Sequence, residues 1–206
     1  KEISKRLNSV KDEINETMDI QYKNEILIDK LRQQILSEAV SGKLVNQNPK
    51  DEPASELLKK IKKEKELPAV TSEETFYKLP KGWMWIRLGD ICNFIYGKGL
   101  TKENTIPDGK YPVFGSNGVV GYYNNYLTKK RAIIIGRKGS SGALNISEKP
   151  SWTTDVAYYV EEVTCLDFKF MFYLLKSLSL ERLGKGIKPG LNRNEVYILV
   201  VGLPPL

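Results

Sequence analysis

The glycine-rich stretch Gly136–Gly142 carries two cations, Arg137 and Lys138, directly after the apolar run Ala132–Ile135. Backbone N–H groups of a glycine loop approach an anion closely because glycine has no Cβ, and two cations add attraction for a phosphate. The stretch is not a nucleotide-binding P-loop, since it lacks the Gly-Lys-Ser/Thr ending and a following helix. Gly136–Gly139 matches the GXXG pattern of KH domains, but that motif requires flanking helices, and strands are predicted here. A tight hairpin with exposed cations is the alternative interpretation.

Two further loops combine glycine with residue types that bind nucleic acid. The first, Leu183–Asn194, has three cations and no acid. Lys and Arg suit phosphates and guanine edges, whereas Asn suits adenine. The second, Gly115–Gly118 with the aromatic residues that follow, offers amides and phenols to base edges. The candidate DNA contacts of the three loops are Arg137, Lys138, Lys185, Lys188, Asn192, Arg193, Asn117 and Tyr122.

Enzymatic chemistry finds little support in the sequence. The chain has no histidine, which excludes a Ser-His-Asp triad, a Cys-His pair and any His-containing metal site. Asp155 with Asp167 and Lys169 has the spacing by which some nucleases hold Mg²⁺, but Asp167 stands where a helix N-cap is expected, and capping explains it better. Cys92 and Cys165 have no metal-binding spacing and indicate reduced thiols in a cytoplasmic protein. We therefore predict no catalytic residue, no metal and no cofactor.

The candidate loops belong to a part of the chain with a distinct composition. Residues 80–206 hold 17 basic and 10 acidic side chains, whereas residues 1–79 hold 15 of each, so the whole net charge of +7 lies in the second part. Apolar residues between glycine turns predict short strands there, with a helix at Asp167–Ser179. The predicted fold class is α+β, in which 80–206 form a mixed α/β domain with a curved, irregular sheet. The predicted strands are Trp83–Arg87, Tyr111–Phe114, Val119–Tyr123, Arg131–Gly136, Ala143–Ile146, Val156–Val160 and Val196–Val201, with a short helix at Leu88–Ile95.

A long helix is predicted in a first segment, residues 1–45. Neither Gly nor Pro occurs before Gly42, where a left-handed residue would end the helix, and its length is roughly 60 Å. One heptad register runs along it, apolar at both ends and polar at Thr17, Gln21 and Asn24. Such a rod exceeds the diameter of the following domain, so much of this seam must meet a helix outside it. The predicted partner interface is Ile3, Leu7, Val10, Ile14, Gln21, Ile28, Leu31 and Ile35.

Residues 46–79 are predicted to be a polar connector. It contains Pro49 and Pro53, a short basic helix at Ser55–Lys65, and an extended stretch from Pro68 to Leu79. Glutamates are interleaved with the lysines of this helix, so a solvated face is favoured over a nucleic-acid contact.

Six short sequence motifs, spread along the chain, are specific when they are taken together. They are Leu31–Leu44 and Asp51–Leu58 near the helix end, Leu79–Trp83 and Leu88–Ile91 at the opening of the domain, and Ile134–Leu144 and Leu203–Leu206 in an interior hairpin and the exit. Together they resemble the specificity (S) subunit of Type I restriction-modification systems: the end of its spacer helix and a target recognition domain.

The resemblance implies a non-catalytic, cytoplasmic DNA reader. In this family two target recognition domains, held apart by two antiparallel helices, each read one half of a bipartite site in double-stranded DNA. Methylation subunits and a restriction subunit dock on the helices. The sequence has one such domain and one such helix, so we expect pairing with a second copy or with the other half of a longer chain. The alternative is a scaffold or dimerisation module that binds only protein. A membrane protein is not expected, because no apolar run approaches the length of a membrane span.

Overall fold

The computed structural model describes residues 2–61, 67–101, 104–162, 166–186 and 190–205. The helices in these ranges are α1 (Glu2–Val40), α2 (Ala54–Lys60), α3 (Phe168–Ser177) and α4 (Arg193–Tyr197). The strands are β1 (Met84–Arg87), β2 (Ile95–Tyr96), β3 (Tyr111–Phe114), β4 (Val119–Tyr123), β5 (Ala132–Gly136), β6 (Leu144–Ser147), β7 (Trp152–Thr153), β8 (Ala157–Glu161) and β9 (Val200–Leu203).

α1 is a continuous helix of 39 residues, about 60 Å long at the usual helical rise. It ends where the sequence predicts, because Gly42 adopts φ +71° and the Lys43 N–H donates to the Glu38 carbonyl (2.8 Å). A Cβ on Gly42 would lie 2.7 Å from the Trp83 ring. Glycine therefore both ends the helix and lets that end pack against the start of the following domain.

The strands of the domain form three small sheets. The largest has the order β2-β8-β5-β6 and is antiparallel throughout. In the second, β4-β3-β7, strand β3 pairs antiparallel with β4 and parallel with β7. β1 and β9 form a separate antiparallel ribbon. The α+β prediction is confirmed, and every predicted strand from Trp83–Arg87 to Val156–Val160 lies within one residue of an observed one.

β5 organises the core because both of its faces are buried. Ile133 and Ile135 belong to the larger core cluster, which includes the inner face of α3, and Ile134 belongs to a second cluster with Phe114 of β3. A strand with two buried faces needs a continuous apolar run, and Ala132–Ile135 supplies it. The cation loop Gly136–Gly142 thus starts from a strand that is buried on both faces.

The connector contributes to the same core. Ala54 and Leu57 of α2 are fully buried, and Ile61 is buried beyond its end. α2 is shorter than the predicted Ser55–Lys65, because Ile61 is already extended; residues 62–66 lie outside the described ranges. Lys59 of α2 pairs with Glu56 (2.7 Å), as expected for a solvated face.

Arg87 ties the extended part of the connector to the domain. Its guanidinium donates to the carbonyls of Pro68 (3.1 Å) and Ile198 (2.8 Å) and to the Glu74 carboxylate (2.7 Å). The residue is only 6% exposed, so these acceptors replace the water that a buried cation loses.

The predicted helix Leu88–Ile95 is wrong. A single 3₁₀ turn spans Leu88–Asp90, and the chain then turns into β2. The Phe94 N–H donates to the Tyr197 hydroxyl (2.8 Å), a partner that lies far away in the sequence. A tertiary contact therefore replaces the helical hydrogen bond that local propensity favours.

The predicted strand Val196–Val201 is also wrong in its first half. Those residues begin inside α4, whose N-cap is Asn192: its side chain accepts the Asn194 N–H (3.0 Å). This local cap outweighs the strand preference of the apolar run, and only β9 is extended.

Candidate nucleic-acid interface

Two of the three candidate loops lie side by side at one end of the largest sheet. The Leu191 N–H donates to the Arg137 carbonyl (2.8 Å), and Lys138 forms a β-bridge with Gly190. The N–H groups of Arg137 and Lys138 both donate to the Val156 carbonyl (2.9 and 3.1 Å). These bonds anchor the loop after β5 against the start of β8, so cations that are distant in sequence share one surface.

The turn between β3 and β4 reaches this surface through Ser116. A Cβ on Gly136 would lie 2.5 Å from the Ser116 carbonyl oxygen, so only glycine allows this approach. Asn117 is exposed, and its Oδ1 accepts a long hydrogen bond from Asn145 (3.5 Å). Tyr122 lies at the other end of β4 with a partly exposed ring. The structure places Asn117 beside the cation loops and Tyr122 at the far end of the hairpin.

An aromatic residue that the sequence analysis did not single out, Tyr96 of β2, lies between the predicted cations. The guanidinium carbon of Arg193 is 4.4 Å from its ring centroid, and that of Arg137 is 4.9 Å away. Both distances are typical of cation–π contacts. A signal was present, because Tyr96-Gly97-Lys98-Gly99 repeats the glycine and cation composition of the other loops, but a helix up to Ile95 was predicted there.

A cleft of about 300 Å³ opens beside this ring. Tyr158 is buried in its lining, 5.0 Å from Tyr96 between ring centroids, and its hydroxyl donates to the Leu191 carbonyl (2.9 Å). Burial, reinforced by the neighbouring Tyr96 hydroxyl, raises the pKa of Tyr158, so the phenol remains a donor at neutral pH. The other residues that line the cleft are Arg137, Lys138, Gly190, Leu191 and Asn192.

Two other predicted contacts already have partners within the protein. Lys185 forms an ion pair with Glu195 (2.9 Å), and Asn192 uses its side-chain oxygen to cap α4. Lys188 lies outside the described residues. Contact between DNA and any of the eight residues remains a prediction.

The described ranges bear on the alternatives of metal and nuclease chemistry. They contain no group of three or more His, Cys, Asp or Glu side chains that could hold a metal ion. Asp167 accepts the Phe170 N–H (2.6 Å) as the N-cap of α3, which is the structural role that the sequence favours. Within the described part of the chain, no helix is long and apolar enough to cross a membrane.

The heptad seam of α1 is a second candidate interface. Among the described residues, the C-terminal end of the helix is the part that packs on the domain, where Ile35, Val40, Phe170 and Tyr173 border a groove of about 750 Å³ between α1 and α3. The predicted partner residues are all exposed: Ile3, Leu7, Val10, Ile14, Gln21, Ile28, Leu31 and Ile35.

The class of the domain is established by comparison with protein families. Residues 80–206 form a DNA specificity domain. They match the family described as "Type I restriction modification DNA specificity domain" over more than half of the chain, and the protein belongs to that family.

Individual relatives agree with this assignment. The chain is 36% identical over 151 residues to the Type I restriction enzyme EcoAI specificity subunit of Escherichia coli, a match that covers 59% of the chain and 26% of that protein. It is 47% identical over 91 residues to the EcoEI specificity subunit of the same organism, covering 38% of the chain and 15% of the relative. The chain thus spans about a quarter or less of these curated relatives.

Solved structures share the fold. The S subunit of a Type I restriction-modification system from M. genitalium superposes with a TM-score of 0.54 at 23% identity, over 62% of this chain and 36% of that one. The HsdS subunit from Thermoanaerobacter tengcongensis gives a TM-score of 0.51 at 18% identity, over 89% of this chain and 45% of that one. Because it covers 89% of this chain, the second match extends beyond residues 80–206.

Proposed function

We propose that this chain is a non-catalytic DNA-reading component of a Type I restriction-modification complex, and that residues 80–206 read one half of a bipartite site in double-stranded DNA. The observation that carries the proposal is the convergence of Arg137 and Arg193 on Tyr96. Three separate segments supply these residues, in the part of the chain that holds all of the net charge of +7. Guanidinium groups form forked hydrogen bonds with phosphates and with guanine edges, as DNA recognition requires.

We further propose that α1 is the spacer and that it pairs antiparallel with α1 of a second copy. The spacing of the seam supports this arrangement, because it is symmetric about residue 19. When two copies run in opposite directions about that point, every layer contains one a and one d position. The resulting layers are Ile3 with Ile35, Leu7 with Leu31, Val10 with Ile28, Ile14 with Asn24, and Thr17 with Gln21.

The same alignment accounts for two exposed apolar residues outside the seam. Met18 and Ile20 are 62% and 52% exposed in the single chain, and they flank the polar middle of α1. In the antiparallel pair they lie beside the two-fold axis, where each meets its own copy. Apolar contacts thus surround the polar layers, which penalise shifted alignments.

An antiparallel pair places the two domains at opposite ends of a rod about 60 Å long. This length corresponds to fewer than about 18 base pairs at 3.4 Å per pair, a suitable scale for two half-sites separated by an uncontacted spacer. The methylation and restriction subunits would then dock on the polar outer faces of the helices, in the cytoplasm where the DNA is.

DNA binding is tested by measuring the affinity of the full chain for a short fluorescent duplex of randomised sequence at several salt concentrations. We expect Arg137→Ala with Lys138→Ala to weaken binding and to flatten the salt dependence by about one unit of slope per lost phosphate contact. The matched control is Lys129→Ala with Lys149→Ala, two exposed lysines near the opposite end of β5.

The outcomes separate this proposal from the alternative. An unchanged salt slope would remove the loop after β5 from the interface. Failure of duplex DNA to bind, or to compete with a protein partner, would favour a scaffold that binds only protein. Half-site reading is tested by co-expression with a methylation subunit, followed by methylome sequencing, from which we expect a bipartite motif with methylated adenine.

A further inference from the structure

We infer that Tyr96 is a positioning residue that joins Arg137 and Arg193 into one two-armed reader, whose ligand is a pair of adjacent acceptors on duplex DNA. The inference rests on the proposed DNA-reading function and assigns a role to a residue on β2, outside the loops that the sequence singled out.

The two arginines are held in the same way. Arg137 Nη1 donates to the Asp155 carbonyl (2.9 Å), and Arg193 Nη1 donates to the Phe94 carbonyl (3.0 Å). Each guanidinium also lies over the ring of Tyr96. A guanidinium has five N–H donors, so one bond to the main chain, together with the contact between Arg137 and the Tyr158 hydroxyl, still leaves donors on both groups for a ligand. Both groups are therefore fixed in orientation without being saturated.

Tyr96 itself is well supported. It pairs with Tyr158 across the β2–β8 ladder, and the two rings are 5.0 Å apart between centroids. Tyr158 is 1% exposed and its hydroxyl bonds the Leu191 carbonyl, in the segment that leads to Arg193. Tyr96 is 43% exposed, so its ring lies between the buried Tyr158 ring and the open cleft.

This arrangement lowers the conformational-entropy cost of binding DNA. A free arginine side chain loses many rotamers when it orders on a ligand, whereas these two are already ordered on Tyr96. A cation–π contact at a partly exposed site corresponds to a factor of roughly 2 to 5 in an equilibrium constant, so two contacts give about tenfold. The planar fork of each guanidinium matches two adjacent acceptors, which DNA presents as phosphate oxygens or as O6 and N7 of guanine.

The test compares ring-removing and ring-keeping variants of the full chain on the randomised duplex. We expect Tyr96→Leu to weaken binding about tenfold and Tyr96→Phe to bind within about twofold of the parent, because phenylalanine keeps the ring over which both guanidiniums lie. Tyr22→Leu is the matched control, a strongly exposed tyrosine on α1. Thermal unfolding of each variant shows whether the domain remains folded.

A double-mutant cycle separates positioning from general stability. If Tyr96 acts through the two arginines, Tyr96→Leu has no further effect on DNA affinity when Arg137→Ala and Arg193→Ala are already present. A further loss of the same size in that background would overturn the inference, as would a Tyr96→Phe variant as weak as Tyr96→Leu. A parent chain that binds no duplex would overturn the proposed function together with this inference, whereas normal binding by Tyr96→Leu would overturn this inference alone.

The acceptor is identified by conservative variants. Arg137→Lys and Arg193→Lys keep the charge and lose the fork. Selection of bound duplexes from a randomised pool then distinguishes the two sources. Loss of a preferred guanine from the selected sequences assigns that arginine to a base edge, whereas an unchanged sequence preference with weaker binding assigns it to phosphate. Unchanged binding by both lysine variants would show that the fork has no role.

Discussion

Lys185 Nζ lies 2.9 Å from Glu195 Oε2, an ion pair that links the loop after residue 183 to the first turn of α4. The lysine side chain is 75% exposed, so water and salt screen the pair and its effect on stability is small. The acid also stands two residues from Arg193. It therefore lowers the positive potential at the place where a phosphate would approach.

From this pair we predict that Glu195→Gln strengthens binding to duplex DNA about two- to fivefold at low salt, with a smaller gain at high salt. Removing the acid frees Lys185 and removes a repulsive charge. Lys185→Ala should weaken binding less than Arg137→Ala. Fluorescence anisotropy over a salt series measures both effects.

Glu52→Gln is the control for that experiment, because Glu52 is also a surface acid paired with a lysine, Lys60 of α2. An equal gain for the two glutamine variants would mean that only net charge matters. In that case α4 would not border the DNA.

The symmetric seam of α1 predicts a specific crosslink. Met18→Cys should give a covalent dimer with a short bis-maleimide, because antiparallel pairing brings the two copies of residue 18 to the same side of the helix pair. In a parallel pair they lie on opposite sides. The product is detected by denaturing gel, and light scattering of the untreated protein should give twice the 23.4 kDa of one chain.

Asp19→Cys is the matched control, since it lies on the same turn but at the outermost heptad position. The parent chain provides the background from Cys92, which is buried, and Cys165. Equal crosslinking at residues 18 and 19 would contradict the alignment. A monomeric mass at tens of micromolar would mean that the seam of the isolated chain does not pair with a copy.

Much of the fold was readable from the sequence because the signals are local. The apolar run before Gly136 predicts β5, the absence of Gly and Pro before Gly42 predicts α1 and its end, and Asp167 predicts the start of α3. In each case the residues that determine the element lie within or next to it. The observed bounds therefore agree closely with the predicted ones.

The centre of the candidate site was not readable because distant partners determine it. Tyr96 lies in a strand only because β8 pairs with it and because the Tyr197 hydroxyl holds the Phe94 N–H. Arg193 was singled out by its charge, but its orientation depends on the Phe94 carbonyl. Composition identified the cations, and only the tertiary structure shows which of them lie on one ring.

The bonds of Arg87 predict a dependence of stability on pH. Hydrogen bonds from the Thr71 N–H and from the Arg87 guanidinium hold the pKa of Glu74 below its usual 4.5. The carboxylate therefore stabilises the fold above pH 4.5, and this stabilisation is lost as the pH falls through the lowered pKa. We expect Glu74→Gln to have a lower Tm than the parent at pH 7. On acidification, the Tm of this variant should fall less than the Tm of the parent.

Glu73→Gln, at the exposed neighbour, is the matched control. Arg87→Met should cost about 2 kcal/mol or more at any pH, because the carbonyls of Pro68 and Ile198 lose their donor. If Glu74→Gln and Glu73→Gln respond alike to acid, the contact with Arg87 does not control this part of the pH dependence.

A substitution at Gly136 tests whether DNA binding by the cation loop depends on the β3–β4 turn beside it. A Cβ there would lie 2.0 Å from the Ser140 carbonyl oxygen and 2.5 Å from that of Ser116, so Gly136→Ala must separate the loop from the turn that carries Asn117. We expect a loss of about 1–3 kcal/mol in urea unfolding, the usual cost of overpacking, together with weaker DNA binding.

Gly118→Ala is the comparison, because its φ of +98° is strained but its Cβ would meet no atom within 4 Å. It should cost about 1 kcal/mol in stability. The Gly118→Ala variant keeps the contact between Ser116 and Gly136, so it should bind DNA nearly as well as the parent. Equal DNA affinities for the two variants would show that the loop after β5 acts independently of the β3–β4 turn.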